Sequence, residues 1–262
     1  MELRLDDRSA LITGGSQGLG RAMAKTFAAA GARVAIIGRN QDALNEARME
    51  IEQAGGAGAR VIALSADVSD AAALAEAHQA AVGAIGAIDV LVNNAGTSAA
   101  GAFLDISDDD WQHDFELKFF AAVRLIRLCL PAMKDQGWGR IINVLNTAAK
   151  APPARSCPTA VTRAAGMAMS KALASEVAGN GVLVNALNTG VLVTKQWESH
   201  HQTRGANLSW EEFLVKTAGP VPIGRMGDAQ EFANLALFLA SDAASYITGT
   251  AINVDGGLSP VV

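Results

Sequence analysis

Apolar, β-rich runs recur along the chain at Ser9 to Thr13, Arg33 to Ile37, Arg60 to Ser65, Ile88 to Asn93, Arg140 to Asn146, Val182 to Leu187 and Ala251 to Val254, with helical patterns between them. Such alternation predicts parallel strands joined by crossover helices. The unbroken apolar character of Val90-Leu91-Val92 predicts burial on both faces of the sheet. One helix is clearly marked. Ser107-Asp108-Asp109-Asp110 supplies a cap and negative charge for a first turn, and Gly137 follows Lys134, so the pattern predicts a helix from about Asp108 to Asp135. A second helix is predicted from near Thr159 to around Ala178, ahead of Gly179-Asn180-Gly181. The expected class is α/β, a doubly wound seven-stranded parallel sheet with helices on both faces. No Pro/Ser-rich linker or charge run divides the chain, which predicts a single domain over residues 1–262.

The first strand runs into Thr13-Gly14-Gly15-Ser16-Gln17-Gly18-Leu19-Gly20, and an apolar-periodic helix, Arg21 to Ala30, runs out of it. A strand, a glycine turn and a helix in that order leave backbone N–H groups and a positive helix N-terminus open, with no side chains blocking the approach. A pyrophosphate can sit against such main chain.

Composition narrows the partners. Half of the 262 residues are hydrophobic and aromatics are scarce, which suits a core of Ala, Val, Leu and Ile. A net charge of -5 leaves no basic footprint for nucleic acid or acidic lipid, so neither partner is expected. Met1 to Ser9 carries Glu2, Arg4, Asp6, Asp7 and Arg8 rather than the apolar core of a signal peptide, and no later run is long enough to span a bilayer. The expectation is a soluble cytoplasmic protein without membrane partners. Cys129 and Cys157 read as reduced thiols. His78, His113, His200 and His201 do not combine with them at metal-ligand spacing, so no metal is expected.

Asp67-Val68 closes the third strand, Asn93-Asn94-Ala95-Gly96 the fourth, and Asp255-Gly256-Gly257 follows the last. Together with the turn from Thr13 to Gly20, with Pro222 to Gly227 and with Ser245 to Gly249, these motifs resemble the short-chain dehydrogenase/reductase family over essentially the whole chain. The resemblance implies a Rossmann fold, a small-molecule substrate and a homotetramer formed through the two long helices and the C-terminal strand. It assigns Gly14, Ser16, Gln17, Leu19 and Gly20 to the pyrophosphate and adenosine end of a dinucleotide, Asp67 and Val68 to the adenine, and Asn94, Ala95 and Gly96 to the ribose side. Thr189 to Thr194 resembles the segment that contacts the nicotinamide amide and phosphates, through Gly190, Leu192 and Thr194, with Thr189 where proline is usual. At the end of the second strand an acidic residue would accept from a ribose 2′-hydroxyl. Arg39 stands there instead, and a guanidinium favours a 2′-phosphate, so NADP is expected over NAD.

The family's chemistry rests on an Asn, a Ser, and a Tyr and Lys four residues apart. Aligning Trp111, Ile141 to Val144 and Met167 to Glu176 puts Lys118, Asn146, Thr159 and Arg163 at those places. All four are substituted, and no other register restores a Tyr-Lys pair, because the chain's single tyrosine, Tyr246, lies in the C-terminal motif. Thr159 and Arg163 still share a helix face. An unactivated threonine hydroxyl is too weak an acid to supply a proton, so Thr159 is assigned a hydrogen bond to ligand. Arg163 is assigned to ribose hydroxyls, with a possible role in polarising a carbonyl, and Asn146 to a carbonyl hydrogen bond. Lys118 is the candidate for proton transfer, because burial near Arg163 would lower its pKa; pairing with a carboxylate is the competing role.

The segment 195–219 carries Trp197, His200, His201 and Arg204 and is expected to cover a partly polar substrate as a lid. The sequence leads to NADP-dependent carbonyl/alcohol oxidoreduction with an atypical site. Two alternatives stay open: a non-redox lyase, isomerase or dehalogenase using the Lys118 and Arg163 cations, and a catalytically silent dinucleotide-binding subunit.

Overall fold

Each strand alternates its side chains between two apolar layers. Ala10 and Ile12 of β1 (Ser9–Thr13), Val34 and Ile36 of β2 (Arg33–Gly38), and Val90 and Val92 of β4 (Val90–Asn93) face one layer; Leu11, Ala35, Ile37 and Leu91 face the other. With both faces buried, the two-residue period of a strand has no polar side to display, which is why these runs read as continuous hydrophobic sequence. The computed structural model describes residues 2–262, apart from the side chains of Lys195, Gln196, Ser199 and Arg204. With β3 (Val61–Ser65), β5 (Gly139–Asn146), β6 (Val182–Thr189) and β7 (Ala251–Val254), the strands form one sheet in the order β3-β2-β1-β4-β5-β6-β7, and every pairing is parallel.

Helices α1 (Gly18–Ala29), α2 (Gln41–Gly55) and α9 (Ala229–Ala240) cover one face, through Met23, Phe27, Leu44, Ile51, Phe232 and Leu239 among others. Helices α3 (Ala71–Ile85), α5 (Ala121–Asp135) and α6 (Thr159–Val177) cover the opposite face, through Leu74, Leu125, Cys129 and Val177. Between the outer elements lie α4 (Asp108–Phe115), α7 (Lys195–Arg204) and α8 (Trp210–Ala218). The expected α/β class and doubly wound seven-stranded sheet are therefore observed.

The chain order reverses between β1 and β4, and strand C-termini on either side of such a reversal diverge into a crevice. Three differences from the expected elements bear on it. First, α1 begins at Gly18 rather than Arg21, so the last glycines form its first turn. Second, β6 runs on to Thr189, in register with β5 up to Asn146 opposite Thr189. Third, the helix expected from Asp108 to Asp135 is not uniform. Ser107 caps it with a reciprocal box to Asp110, as its sequence predicts, but residues Glu116–Phe120 widen into a π turn before α5 resumes. The backbone stays helical through both junctions, so the axis continues while the side chains after Phe115 are rotated relative to those before.

Phe27 is fully buried between α1 and the sheet, whereas Val215 on α8 is largely exposed. Phe27→Ala is expected to cost about 3–5 kcal/mol in urea unfolding, and Val215→Ala to stay within about 0.5 kcal/mol.

Candidate active site

The crevice begins where β1 ends. Thr13 Oγ1 accepts the backbone N–H groups of Asn94 (2.9 Å) and Ala95 (3.0 Å), and Asn94 Nδ2 donates to the carbonyls of Thr13 (2.8 Å) and Gly14 (3.3 Å). These bonds staple the ends of β1 and β4 together. Gly14 lies in the left-handed region, φ 66°, and a Cβ on Gly20 would sit 2.2 Å from the Gly14 carbonyl oxygen and 2.7 Å from Asn94 Nδ2. The turn is thus too tight for side chains. Gln17 occupies the N-cap of α1 without a side-chain cap bond, and no acidic residue lies in the first turn, so the helix presents uncovered N–H groups and its positive end to the crevice. This is a cradle for an anion such as a pyrophosphate.

The other sequence-predicted binding residues surround the cradle with differing fit. Ser16 Oγ lies beside Gly38 at the end of β2, where Arg39 is exposed. Asp67 Oδ1 accepts from the Ser69 N–H (2.9 Å) and hydroxyl (2.6 Å), which hold its carboxyl below the usual range, with a smaller contribution from the Arg39 charge. Leu19 and Val68 direct their side chains into the core, leaving their backbone as the part available to a ligand. On the far side, Gly190 N–H donates to Val254 and Leu192 pairs with Gly227, which brings the Thr194 methyl against Gly18.

Deeper in the crevice, Lys118, Thr159 and Arg163 come together. Lys118 lies in the π turn with its side chain only 3 % exposed, and its ammonium is ion-paired and hydrogen-bonded to Asp114, four residues earlier, whose side chain is 2 % exposed. Lys118 Nζ also donates to Thr159 Oγ1 at 3.0 Å. The same oxygen accepts the Ala99 N–H at 2.9 Å. Thr162 Oγ1 donates to the second Asp114 carboxylate oxygen at 2.7 Å. Arg163 Nη1 donates to the Val144 carbonyl at 2.8 Å, its Nη2 lies against Gly96, and its Nε is buried without a hydrogen-bond partner. Asn146, at the end of β5, likewise has a buried Oδ1 with no partner. A cavity of about 20 Å³, bounded by Thr13, Asn93, Lys118, Asn143, Thr162 and Arg163, lies behind this group and has the scale of one water.

Burial sets the charges. It pushes the Lys118 ammonium down to about 8; the hydrogen bond to Asp114 opposes the shift, and the Arg163 charge adds to it. Burial also lowers Arg163 to about 10, so that it is a fixed cation near neutrality. Sequence reasoning named Lys118 and anticipated both its burial and a carboxylate, but did not find Asp114 or Thr162. The four-residue spacing of Asp114 and Lys118 on one predicted helix was the available signal.

The segment expected as a lid folds into α7 and α8, held by its own aromatic contacts. His201 packs against Phe213 (5.1 Å) and Trp210 (5.4 Å), and its Nε2–H donates to the Leu208 carbonyl at 2.9 Å. Trp197 contacts His200 at 5.1 Å and Phe213 at 6.4 Å. These contacts occupy His201 within the lid itself. The Arg204 side chain lies outside the described residues. Among the described residues, no three His, Cys, Asp or Glu side chains form a group able to hold a metal.

A family model described as enoyl-(acyl carrier protein) reductase matches residues 14–259. The 2,5-dichloro-2,5-cyclohexadiene-1,4-diol dehydrogenase LinX of Sphingobium indicum is 37 % identical over 259 residues, 99 % of each chain. L-sorbose reductase from Gluconobacter frateurii, solved with NADPH and L-sorbose, is 34 % identical, with a TM-score of 0.93 and full coverage of both chains. A short chain oxidoreductase from Pseudomonas aeruginosa PAO1, solved with NADPH and described as containing an atypical catalytic center, is 32 % identical, with a TM-score of 0.92 over 99 % of each chain.

The tightness of the turn gives a direct check. Gly20→Ala is expected to lower thermal stability by more than about 1 kcal/mol, because its Cβ meets backbone. Gly83→Ala, in the open middle of α3, is expected to raise stability by about 0.5–1 kcal/mol.

Proposed function

The chain belongs to the short-chain dehydrogenase/reductase family, and we propose that it is an NADP-dependent oxidoreductase acting on a carbonyl/alcohol pair through a rearranged proton-donating group. The observation that carries this reading is the adjacency of two features along one stretch of backbone. Asn94 bonds to the open anion cradle at Gly14, and Gly96, two residues on, packs against Lys118 and Arg163. Bound dinucleotide would supply or accept the hydride. The main chain of Gly14, Ser16, Gln17, Leu19 and Gly20 would hold its pyrophosphate, Asp67 and Val68 its adenine, and Asn94, Ala95, Gly96 and Arg163 its ribose, with Gly190, Leu192 and Thr194 beside the nicotinamide. The preference for NADP rests on Arg39, exposed where a 2′-phosphate would emerge, and is supported by the NADPH complexes of the sorbose reductase and the Pseudomonas oxidoreductase.

The chain's own side chains divide the remaining work. Arg163 keeps a positive charge that polarises a carbonyl oxygen, and Asn146 has an amide without internal partners that can donate to it. Lys118, titrating at about 8, is mostly protonated at pH 7 and still able to release a proton. Reduction is therefore expected to be fastest below that value and to decline as pH rises through it. We take residues 1–262 as one catalytic unit with 195–219 covering the substrate through Trp197 and His200, and His201 bracing the lid. A cytoplasmic homotetramer fits this reading, supported by free Cys129 and Cys157 and by exposed apolar groups such as Leu104 and Tyr246. No helix among the described residues is long and apolar enough to cross a membrane.

A non-redox activity is the second reading. It is favoured by the charge of the site, where two cations face the single carboxylate of Asp114, a balance suited to an enolate or a departing anion. Titrating the protein with NADPH and NADH by nicotinamide fluorescence separates the two. NADPH is expected to bind more tightly, and Arg39→Asp to weaken NADPH selectively. Lys118→Arg retains the cation but not a proton released near neutrality, and is expected to cut carbonyl reduction about 100-fold or more with NADPH binding retained. Failure to bind either nucleotide would sink the redox reading in favour of the second.

A further inference from the structure

We infer that Asp114, locked by Thr162, is a positioning residue that holds the Lys118 ammonium on Thr159, and that Thr159 passes the proton of Lys118 to the substrate oxygen. The inference rests on the proposed redox reading for its substrate and on the hydrogen-bond geometry for its path. A hydroxyl has one hydrogen and two lone pairs. Both acceptor directions of Thr159 Oγ1 are taken, by Lys118 Nζ at 3.0 Å and by the Ala99 N–H at 2.9 Å. Its own hydrogen is the one left to give. Threonine is too weak an acid to lose that hydrogen outright, but it need not do so when a lysine replaces the proton as it leaves.

The transfer balances. Hydride addition from a reduced nicotinamide leaves an alkoxide on the former carbonyl oxygen. That oxygen takes the hydrogen of Thr159 Oγ1 as Oγ1 takes one from Lys118 Nζ, giving an alcohol, an intact threonine and a neutral lysine, which solvent then reprotonates. Arg163 cannot replace Lys118 in this sequence, because it holds its proton near neutrality.

Asp114 determines whether Lys118 is able to act. One carboxylate oxygen accepts from Lys118 and the other accepts from Thr162 at 2.7 Å, so the carboxylate spans from α4 to α6 and fixes the ammonium relative to Thr159. Thr159 and Thr162, three residues apart on α6, thereby hold the two ends of the same ion pair. The charged groups facing Lys118 are Asp114 from its own helix and Arg163 from α6. The stretch Asn94 to Ala99 contributes none, Asn143 of β5 is neutral, and Glu116 is paired away to Arg124. Removing the Asp114 charge leaves burial and Arg163 unopposed, and both favour the neutral amine.

The test compares wild type, Asp114→Asn, Asp114→Glu, Thr159→Val and Thr159→Ser. The Lys118 ammonium is titrated by NMR of ε-labelled lysine, assigned with Lys118→Met, and carbonyl reduction with NADPH is followed against pH. In Asp114→Asn, the Lys118 titration and the high-pH limb of kcat are both expected to move down by about one unit or more, about a ten-fold loss of rate above pH 8 for each unit. Asp114→Glu is expected to restore part of the shift. Thr159→Val is expected to lose about 100-fold in kcat, and Thr159→Ser to recover most of it. An unmoved Lys118 titration in folded Asp114→Asn would overturn the role of Asp114, and a Thr159→Val enzyme with unchanged kcat would overturn the relay. The NMR titration does not depend on turnover. Wild type that reduces no carbonyl therefore overturns the relay together with the redox reading, while the role of Asp114 stands or falls on the titration alone.

Discussion

Parallel pairing is the constraint on which the rest of this molecule depends. A parallel strand cannot return through a tight turn, so each connection crosses a face of the sheet, and all seven strands deliver their C-terminal ends to one edge. The reversal of strand order between β1 and β4 opens that edge. Thr13 and Asn94 close it again at one point by exchanging side-chain and backbone hydrogen bonds. Groups from distant parts of the sequence thus share one crevice: the first turn of α1, the π turn ahead of α5, the end of β5 and the first turns of α6.

Electrostatics in that crevice follow from depth. Lys118 and Arg163 are both drawn toward neutrality by burial, and a single carboxylate, Asp114, compensates them. Breaking a buried pair by removing one partner is costly, because the other charge is stranded. The arrangement avoids that by giving every nearby lone pair a donor: both Asp114 oxygens, both lone pairs of Thr159, and the Val144 carbonyl are engaged. The exceptions are Asn146 Oδ1 and Arg163 Nε. Unpartnered buried polar atoms are rare in folded proteins and concentrate where a ligand or water completes the set.

The π turn connects packing to chemistry. An undisturbed α-helix from Asp108 would hold the regular helical angle between Asp114 and Lys118. Widening at Glu116–Phe120 rotates the downstream residues while leaving the helix axis continuous. The Lys118 side chain is thereby buried against Asp114 and Thr159, and α5 still presents Leu125, Ile126 and Cys129 to the core.

Sequence by itself determined the sheet, the glycine cradle and the positions of the altered site, because each depends on local chemistry: two-sided apolar runs, residues lacking a Cβ, and single substitutions within an ordered set of motifs. The Ser107 cap and the shared face of Thr159 and Arg163 were legible for the same reason. Tertiary structure alone decided the rest. Nothing near Lys118 in the sequence says that Thr159, 41 residues away, accepts its hydrogen bond, or that Thr162 secures the far oxygen of Asp114. Likewise, the sequence of the lid contains two adjacent histidines, yet only packing against Trp210 and Phe213 commits His201 to the lid's own interior. Partner choice across the sheet is fixed by which faces are buried together, and a hydrogen-bond partner or a depressed pKa exists only after that burial has removed water as the alternative.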